Sequence, residues 1–283
     1  MKQSREAMSL KARIVQIAKM NKVTAQSVMQ NFLFERFLAR LSKSEFKEKF
    51  VVKGGMLIAS IVGIGTRSTM DLDTTLRNMP LTESVIMNTI QKICAIEMDD
   101  NVSFSDFMFE PIRKDDAYGG FRLKMMANFF TIKNPLSIDI STGDAITPEP
   151  IEYDFPSIFD EFESIKIYGY NVESIIAEKL ETILSRGTAN TRPRDFYDVY
   201  ILQKKRRINV KRLHEALNAT TKHRETQNIL NSAKTVMDEI KISPFLKGLW
   251  EKYRKQYPYA KDLDFDTVTK SVEMLIEKIA KEN

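Results

Sequence analysis

Apolar positions recur at three- and four-residue spacing through the first fifty residues. "SLKARIVQIAKMN" and "TAQSVMQNFLFERFLARLSKS" both follow this helical period. At Phe50 the pattern changes. "KFVVKGG" predicts a short strand ending in a glycine turn, "MLIASIVG" a short buried helix, and "STMDLDTTL" a second strand. "ESVIMNTIQKICAIEM" predicts a further helix. "VSFSDFMFEPI", "GGFRLKMMANFFTI" and "LSIDIST" predict three more strands, with "KNP" as the turn between the last two. From Ile165 onward the helical period returns, in "NVESIIAEKLETILSR", in "PRDFYDVYILQKK" and up to Asn283. The expected class is α+β: a helical lead-in, a small mixed sheet, then a helical C-terminal half. The expected domains are 1–165 and 166–283.

Composition narrows this reading only slightly. With 43% apolar and 29% charged residues, the 283-residue chain is of ordinary globular make and has material for one large domain or two. A single cysteine, Cys94, excludes an internal disulfide. There is no N-terminal signal pattern and no apolar run of the about 20 residues needed to span a bilayer. A cytoplasmic location is therefore expected, with no membrane partner.

Charge changes the picture more. Residues 1–50 carry 11 Lys/Arg against 4 Asp/Glu, residues 51–199 carry 14 against 23, and residues 200–283 carry 18 against 11. An acidic middle between basic flanks fits a cation-loaded site beside surfaces that guide a polyanion. Three plain solvated surfaces would give the same counts.

The acidic middle contains a pair of carboxylates one residue apart. On a strand, Asp71 and Asp73 of "DLD" share one face, with Cα atoms about 7 Å apart. With carboxylates about 5 Å apart and an effective dielectric of about 20, their repulsion is about 3 kcal/mol. Basic side chains, water or metal ions must offset it. Two Mg²⁺ ions about 4 Å apart are bridged by such pairs in nucleotidyl transfer. Asp139, flanked by Ile138 and Ile140, points away from the face those residues bury. Alone it reads as the solvent side of a strand; with Asp71 and Asp73 it becomes a third metal ligand. Gly54 and Gly55, between strand and helix, let the backbone and a helix N-terminus approach phosphate, with Lys53 just ahead of them.

A second group of charges lies in the helical half. Asn171 is an N-cap and Gly187 a C-terminal stop. Between them Val172, Ile175, Ile176, Leu180, Ile183 and Leu184 form an apolar stripe. Lys179 falls inside the stripe, while Glu178 and Glu181 point away. Snorkelling along the core edge explains such a lysine, as does contact with a phosphate. Beyond it Arg186, Arg192 and Arg194 surround a loop, Pro193 opens the next helix, and Asp195 faces its packed side. The run "KKRRINVKR" reads equally as an RNA contact or as a solvated face.

Together these residues resemble the AbiEii toxin family, nucleotidyltransferases of bacterial toxin–antitoxin and phage-abortive-infection systems. The resemblance lies in "ERFLARLSKS", "FVVKGGMLIAS…RSTMDLD", "IDISTGD" and, most specifically, "EKLETILSRGTANTRPRDFYDVY". It implies a nucleotidyltransferase domain of the DNA-polymerase-β type, with a helical C-terminal domain contributing Lys179 and Asp195 to the cleft. It also implies Mg²⁺ as cofactor and an NTP as substrate, with RNA, most specifically a tRNA 3′ end, as acceptor. A cognate antitoxin is the expected partner, possible without a stable complex. Asp71 and Asp73 match the metal-binding acids, Lys179 and Asp195 the essential lysine and aspartate, and Gly54 and Gly55 the phosphate turn. The second glycine is often serine in the wider superfamily, so a hydroxyl contact to phosphate is absent here. Substrate contacts are expected from Lys53, Gly54, Gly55, Thr69, Arg186 and Arg194. Thr69 stands where a modification would bring negative charge to the metal site.

Three rival readings share parts of this pattern. "DLDTT" also fits haloacid-dehalogenase-like phosphatases, but those have a strongly apolar strand where this chain has "TRST". A small-molecule nucleotidyltransferase would use the same metals with less need for basic flanks. A non-enzymatic nucleotide- or RNA-binding inhibitor would act by occupancy and survive loss of Asp71.

Overall fold

The computed structural model describes residues 2–112, 120–159 and 165–282. They divide into two compact units, Met1–Gly143 with Ile151–Gly169, and Asp144–Pro150 with Tyr170–Asn283.

The first unit begins with helices α1 (Lys2–Asn21) and α2 (Ala25–Lys43). The Thr24 side chain accepts a hydrogen bond from the Ser27 N–H and so caps α2. α2 is buried on nearly every side: Leu33, Phe34, Phe37, Leu38 and Leu41 have no exposed surface. Each such side chain contributes about 1.5–3 kcal/mol of burial. Two of its buried charged residues, Arg40 and Glu35, find partners outside the helix. Arg40 forks onto Asp100 at 2.7 and 2.9 Å and donates to the Val102 carbonyl at 2.6 Å. Glu35 accepts from Ser157 Oγ and the Ile158 N–H, both at 2.8 Å.

Next come β1 (Phe50–Lys53), α3 (Gly54–Val62), β2 (Leu72–Leu76), α4 (Glu83–Cys94), β3 (Val102–Ile112), β4 (Gly120–Phe129), β5 (Ile132–Thr142), β6 (Ile151–Phe155) and β7 (Ile165–Gly169). The strands form one mixed sheet in the order β3-β4-β5-β2-β1-β7-β6. The pairs β2/β5 and β1/β7 are parallel, and the other neighbours are antiparallel.

Three expectations need correction, and a fourth falls outside the described residues. Gly119, expected to open the fourth strand, lies outside the described residues, and β4 is described from Gly120. "KNP" is not a turn. Lys133, Asn134 and Pro135 lie within β5, and the chain reverses at Phe130 and Thr131, where Phe130 has φ 50°. Proline is tolerated there because β2 pairs with β5 only from Ile138 onward, leaving, among the described residues, no strand paired on that side of Pro135. Strands also do not cease at Ile165. β7 alternates buried Ile165, Ile167 and Gly169 with more exposed Lys166 and Tyr168, a period of two that "IKIYG" already carried. Finally, Asp71 lies one residue ahead of β2, outside any regular element, so only Asp73 of the pair is held by the strand.

The second unit is helical: α5 (Val172–Arg186), α6 (Pro193–Lys205), α7 (Val210–His223), α8 (Ala233–Ile242), α9 (Pro244–Gln256) and α10 (Phe265–Ala280). Asn171 caps α5 through Ser174 at 2.8 Å, and Gly187 ends it at φ 48°. The α5 stripe is buried except for half-buried Val172. Glu181, expected to point outward, is buried too, because Arg224 and Thr226 at the end of α7 hold its carboxylate. Aromatic contacts link Phe196 and Tyr197 of α6 to Phe265 and Tyr253.

Candidate functional site

Strand register places five charged residues in one row across the sheet of the first unit. Lys53 of β1 is opposite Asp73 of β2, and Asp73 opposite Asp139 of β5. Asp139 is opposite Arg122 of β4, and Arg122 opposite Glu110 of β3. Register partners face the same side of a sheet, with strands about 4.8 Å apart. The residues on either side of the two acids, Leu72, Thr74, Ile138 and Ile140, have no exposed surface, which directs the charged row to the other face.

The centre of this row joins two like charges. Asp73 and Asp139 are brought together by the parallel pair, and two carboxylates about 5 Å apart at an effective dielectric of about 20 would repel by about 3 kcal/mol. Arg122 offsets part of this. Its Nε and Nη2 donate to the two oxygens of Asp139 at 2.7 and 2.8 Å, a bidentate fork. The guanidinium is held above its ordinary pKa by that hydrogen bond and by the charge of Asp139, with further contributions from Asp71 and Glu110. Asp71 therefore lies within electrostatic reach of Arg122. Glu110 has its own partner, Lys124 Nζ at 2.6 Å.

The glycine turn closes on these acids. Gly54 has φ +65°, and a Cβ there would lie 2.0 Å from Asp73 Oδ2. A Cβ on Gly55 would lie 2.8 Å from Thr69 Oγ1 and 3.2 Å from the buried Arg67 guanidinium. Thr69 in turn is tied to Asp71: its Oγ1 accepts from the Asp71 N–H at 3.4 Å and donates to the Asp71 carbonyl at 3.3 Å. Asn31 of α2 donates to the Thr69 carbonyl at 3.2 Å. Both glycines are thus positions where a neighbouring site residue takes the space of a side chain.

The fit of this site to a divalent cation has two sides. Asp71, Asp73 and Asp139 offer only carboxylate oxygens, the hard donors that Mg²⁺ prefers, and the Gly54 cradle makes room for one of them. Among the described residues, however, no three acidic, histidine or cysteine side chains are gathered tightly enough to hold a metal. Both oxygens of Asp139 are engaged by Arg122 of β4. The donor set fits a cation; its gathering is incomplete.

In the second unit, Lys179 Nζ lies 2.5 Å from Asp195 Oδ1 and 3.4 Å from Asp198 Oδ2. The lysine side chain is 18% exposed and that of Asp195 only 2%. Asp195 Oδ2 is buried without a hydrogen-bond partner among the described residues. In the loop ahead of α6, Asn190 Oδ1 accepts from the Arg192 N–H at 2.7 Å. Arg186 and Arg194 are exposed, as are Lys204, Lys205, Arg206, Arg207, Lys211 and Arg212 of the basic run.

Asp198, Arg122 and Glu110 are among the residues of these constellations that escape the sequence reading. Asp198 was legible in principle, since it follows Asp195 by three residues and so shares its helix face. Arg122 was not. Its place beside Asp139 depends on the pairing register of β4 and β5, and "GFRLKMM" shows only that it shares a strand face with Lys124.

The mixed sheet followed by helices is the architecture of a nucleotidyltransferase. A protein from H. pylori described as a nucleotidyltransferase is similar over 92% of this chain and 99% of its own, with TM-score 0.52 and 15% identity. JHP933 from Helicobacter pylori is also 15% identical, over 92% of this chain and 95% of its own, with TM-score 0.49. Of the two, only the first speaks for the fold, and at such identity for the fold alone. Residues 36–271 match the family described as nucleotidyl transferase AbiEii toxin of type IV toxin–antitoxin systems, and the chain belongs to that family. No curated protein sequence matches this chain. Among the described residues, no helix is long and apolar enough to cross a membrane.

Proposed function

We propose that this toxin transfers a nucleoside monophosphate from an NTP to RNA, with a tRNA 3′ end as the acceptor, in a Mg²⁺-dependent reaction that arrests growth. The observation that carries the reading is the in-register pair Asp73 and Asp139, with Asp71 two residues upstream and the glycine turn packed against Asp73. An acidic pair in a row with Lys53 and Arg122 suits the binding of a cation together with a polyphosphate.

In the reaction, the RNA 3′-hydroxyl oxygen bonds to the α-phosphorus, the α–β anhydride bond breaks, pyrophosphate leaves, and the hydroxyl proton passes to solvent water. Bound Mg²⁺ would supply charge neutralisation on the phosphates and acidify the attacking hydroxyl. Asp71 and Asp73 would hold it, with Asp139 as a further ligand. Gly54 and Gly55 present backbone N–H groups at the start of α3, where negative charge is favoured. Lys53 stands at the end of the row for a phosphate oxygen. Lys179 acts as the essential cation of the second unit, and Asp195 and Asp198 fix its position. Arg186 and Arg194 contribute exposed positive charge to the nucleotide, and the run from Lys204 to Arg212 to the RNA. An antitoxin of the type IV system would counteract the toxin in a cytoplasmic setting, which does not require a stable complex between them.

The test incubates purified protein with Mg²⁺, each α-labelled NTP in turn and total bacterial RNA. Label enters a tRNA-sized band with at least one NTP. Label entering a small-molecule acceptor instead would favour an antibiotic-type transferase. No incorporation, with growth arrest intact, would favour inhibition by occupancy.

A further inference from the structure

We propose that Arg122 is a built-in counter-ion of Asp139 that sets how tightly the acidic row binds a divalent cation. The inference rests on the reading that Asp71, Asp73 and Asp139 bind such a cation, and it assigns a role to a residue outside that set.

Three observations carry it. First, the Arg122 fork occupies both oxygens of Asp139, at 2.7 and 2.8 Å, on the side away from β2. Second, no acidic cluster able to hold a metal exists among the described residues, although register alone brings Asp139 next to Asp73. Third, the fork is releasable: the Arg122 side chain is 44% exposed and that of Asp139 25%. The fork is bidentate, but solvent screens a pair this exposed and guanidinium stems are long, so a cation arriving at Asp71 and Asp73 can recruit Asp139 by displacing it. Until then the guanidinium neutralises one of two neighbouring carboxylates. Glu110, the next residue in the row, already has Lys124 and offers Arg122 a place to swing toward.

The experiment measures Mn²⁺ binding to the full chain by electron paramagnetic resonance, without nucleotide or RNA. Removing the fork in Arg122→Met tightens Mn²⁺ about fivefold, the factor that corresponds to about 1 kcal/mol. Arg122→Lys keeps the charge but loses the bidentate geometry and tightens it less. In an Asp139→Asn background, Arg122→Met changes affinity less than about twofold, because there is no third carboxylate to release. Unchanged or weaker Mn²⁺ binding in Arg122→Met overturns the proposal. So does equal tightening with and without Asp139, which would mean a simple long-range charge effect. Asp73→Asn separates the two levels. If it leaves Mn²⁺ binding intact, the cation reading itself fails and takes this inference with it. If it abolishes binding while Arg122→Met has no effect, only the inference fails.

Discussion

Gly54 combines two constraints in one residue. Its φ of +65° disfavours any L side chain, and a Cβ would collide with Asp73 Oδ2 at 2.0 Å. Gly54→Ala should therefore cost about 1–3 kcal/mol in urea denaturation and lower nucleotide incorporation at least tenfold. Gly63→Ala is the matched control. It shares a positive φ, +93°, but has nothing within 4 Å of its Cβ, so it should show the backbone cost with full activity. Equal activity loss in both would disconnect the turn from the acids. Cys94 gives a second prediction at this scale. Burial pushes its thiol from an ordinary 9.0 up to about 12. The thiolate is the reactive form, so iodoacetamide at pH 8 should label the folded protein far more slowly than the urea-unfolded one. The same shift makes stability fall as pH rises above 9, where the unfolded thiol ionises first.

Elements decide which charges meet. The α5 helix places Lys179 against α6, where Asp195 and Asp198 are almost wholly buried. Lys179→Met would leave two buried carboxylates without their cation and should destabilise the chain by about 3–5 kcal/mol in urea denaturation. Lys179→Arg should lose less, and the double variant Lys179→Met/Asp195→Asn should recover part of the loss. If Lys179→Met unfolds no more easily than the parent, the lysine is not structurally held by these acids. Loss of toxicity in Lys179→Met alone thus says little about chemistry. The helices, their caps at Asn171 and Gly187, and the strand–turn–helix at Gly54 were legible because period and end signals are local. The β6/β7 hairpin was overlooked, although "IKIYG" alternates. The outward face of Asp139 was legible from its two isoleucine neighbours, whereas the place of Arg122 was not, because a cross-strand partner depends on register between distant segments. Asp71 was misjudged for a related reason: the spacing "DLD" fits a strand but does not say where the strand starts.

At the scale of the whole molecule, the chain is an AbiEii nucleotidyl transferase toxin by family, with a sheet-borne acidic row in one unit and a buried Lys–Asp group in the other. The exposed basic run belongs to the question of substrate. If it contacts RNA, replacing Lys204, Lys205, Lys211 and Arg212 by Gln should weaken RNA binding at low salt. It should also flatten the dependence of log K on log salt by up to about one unit per lost phosphate contact. An unchanged slope would return the run to the role of a solvated face. The central claim is nucleotidyl transfer itself, and the position of the label tests it most directly. With Mg²⁺, RNA and the accepted NTP, an α-phosphate label should enter RNA while a γ-phosphate label does not. Asp73→Asn should abolish the α-label signal without loss of fold. A γ-label appearing in RNA, or undiminished α-label incorporation by Asp73→Asn, would contradict the account.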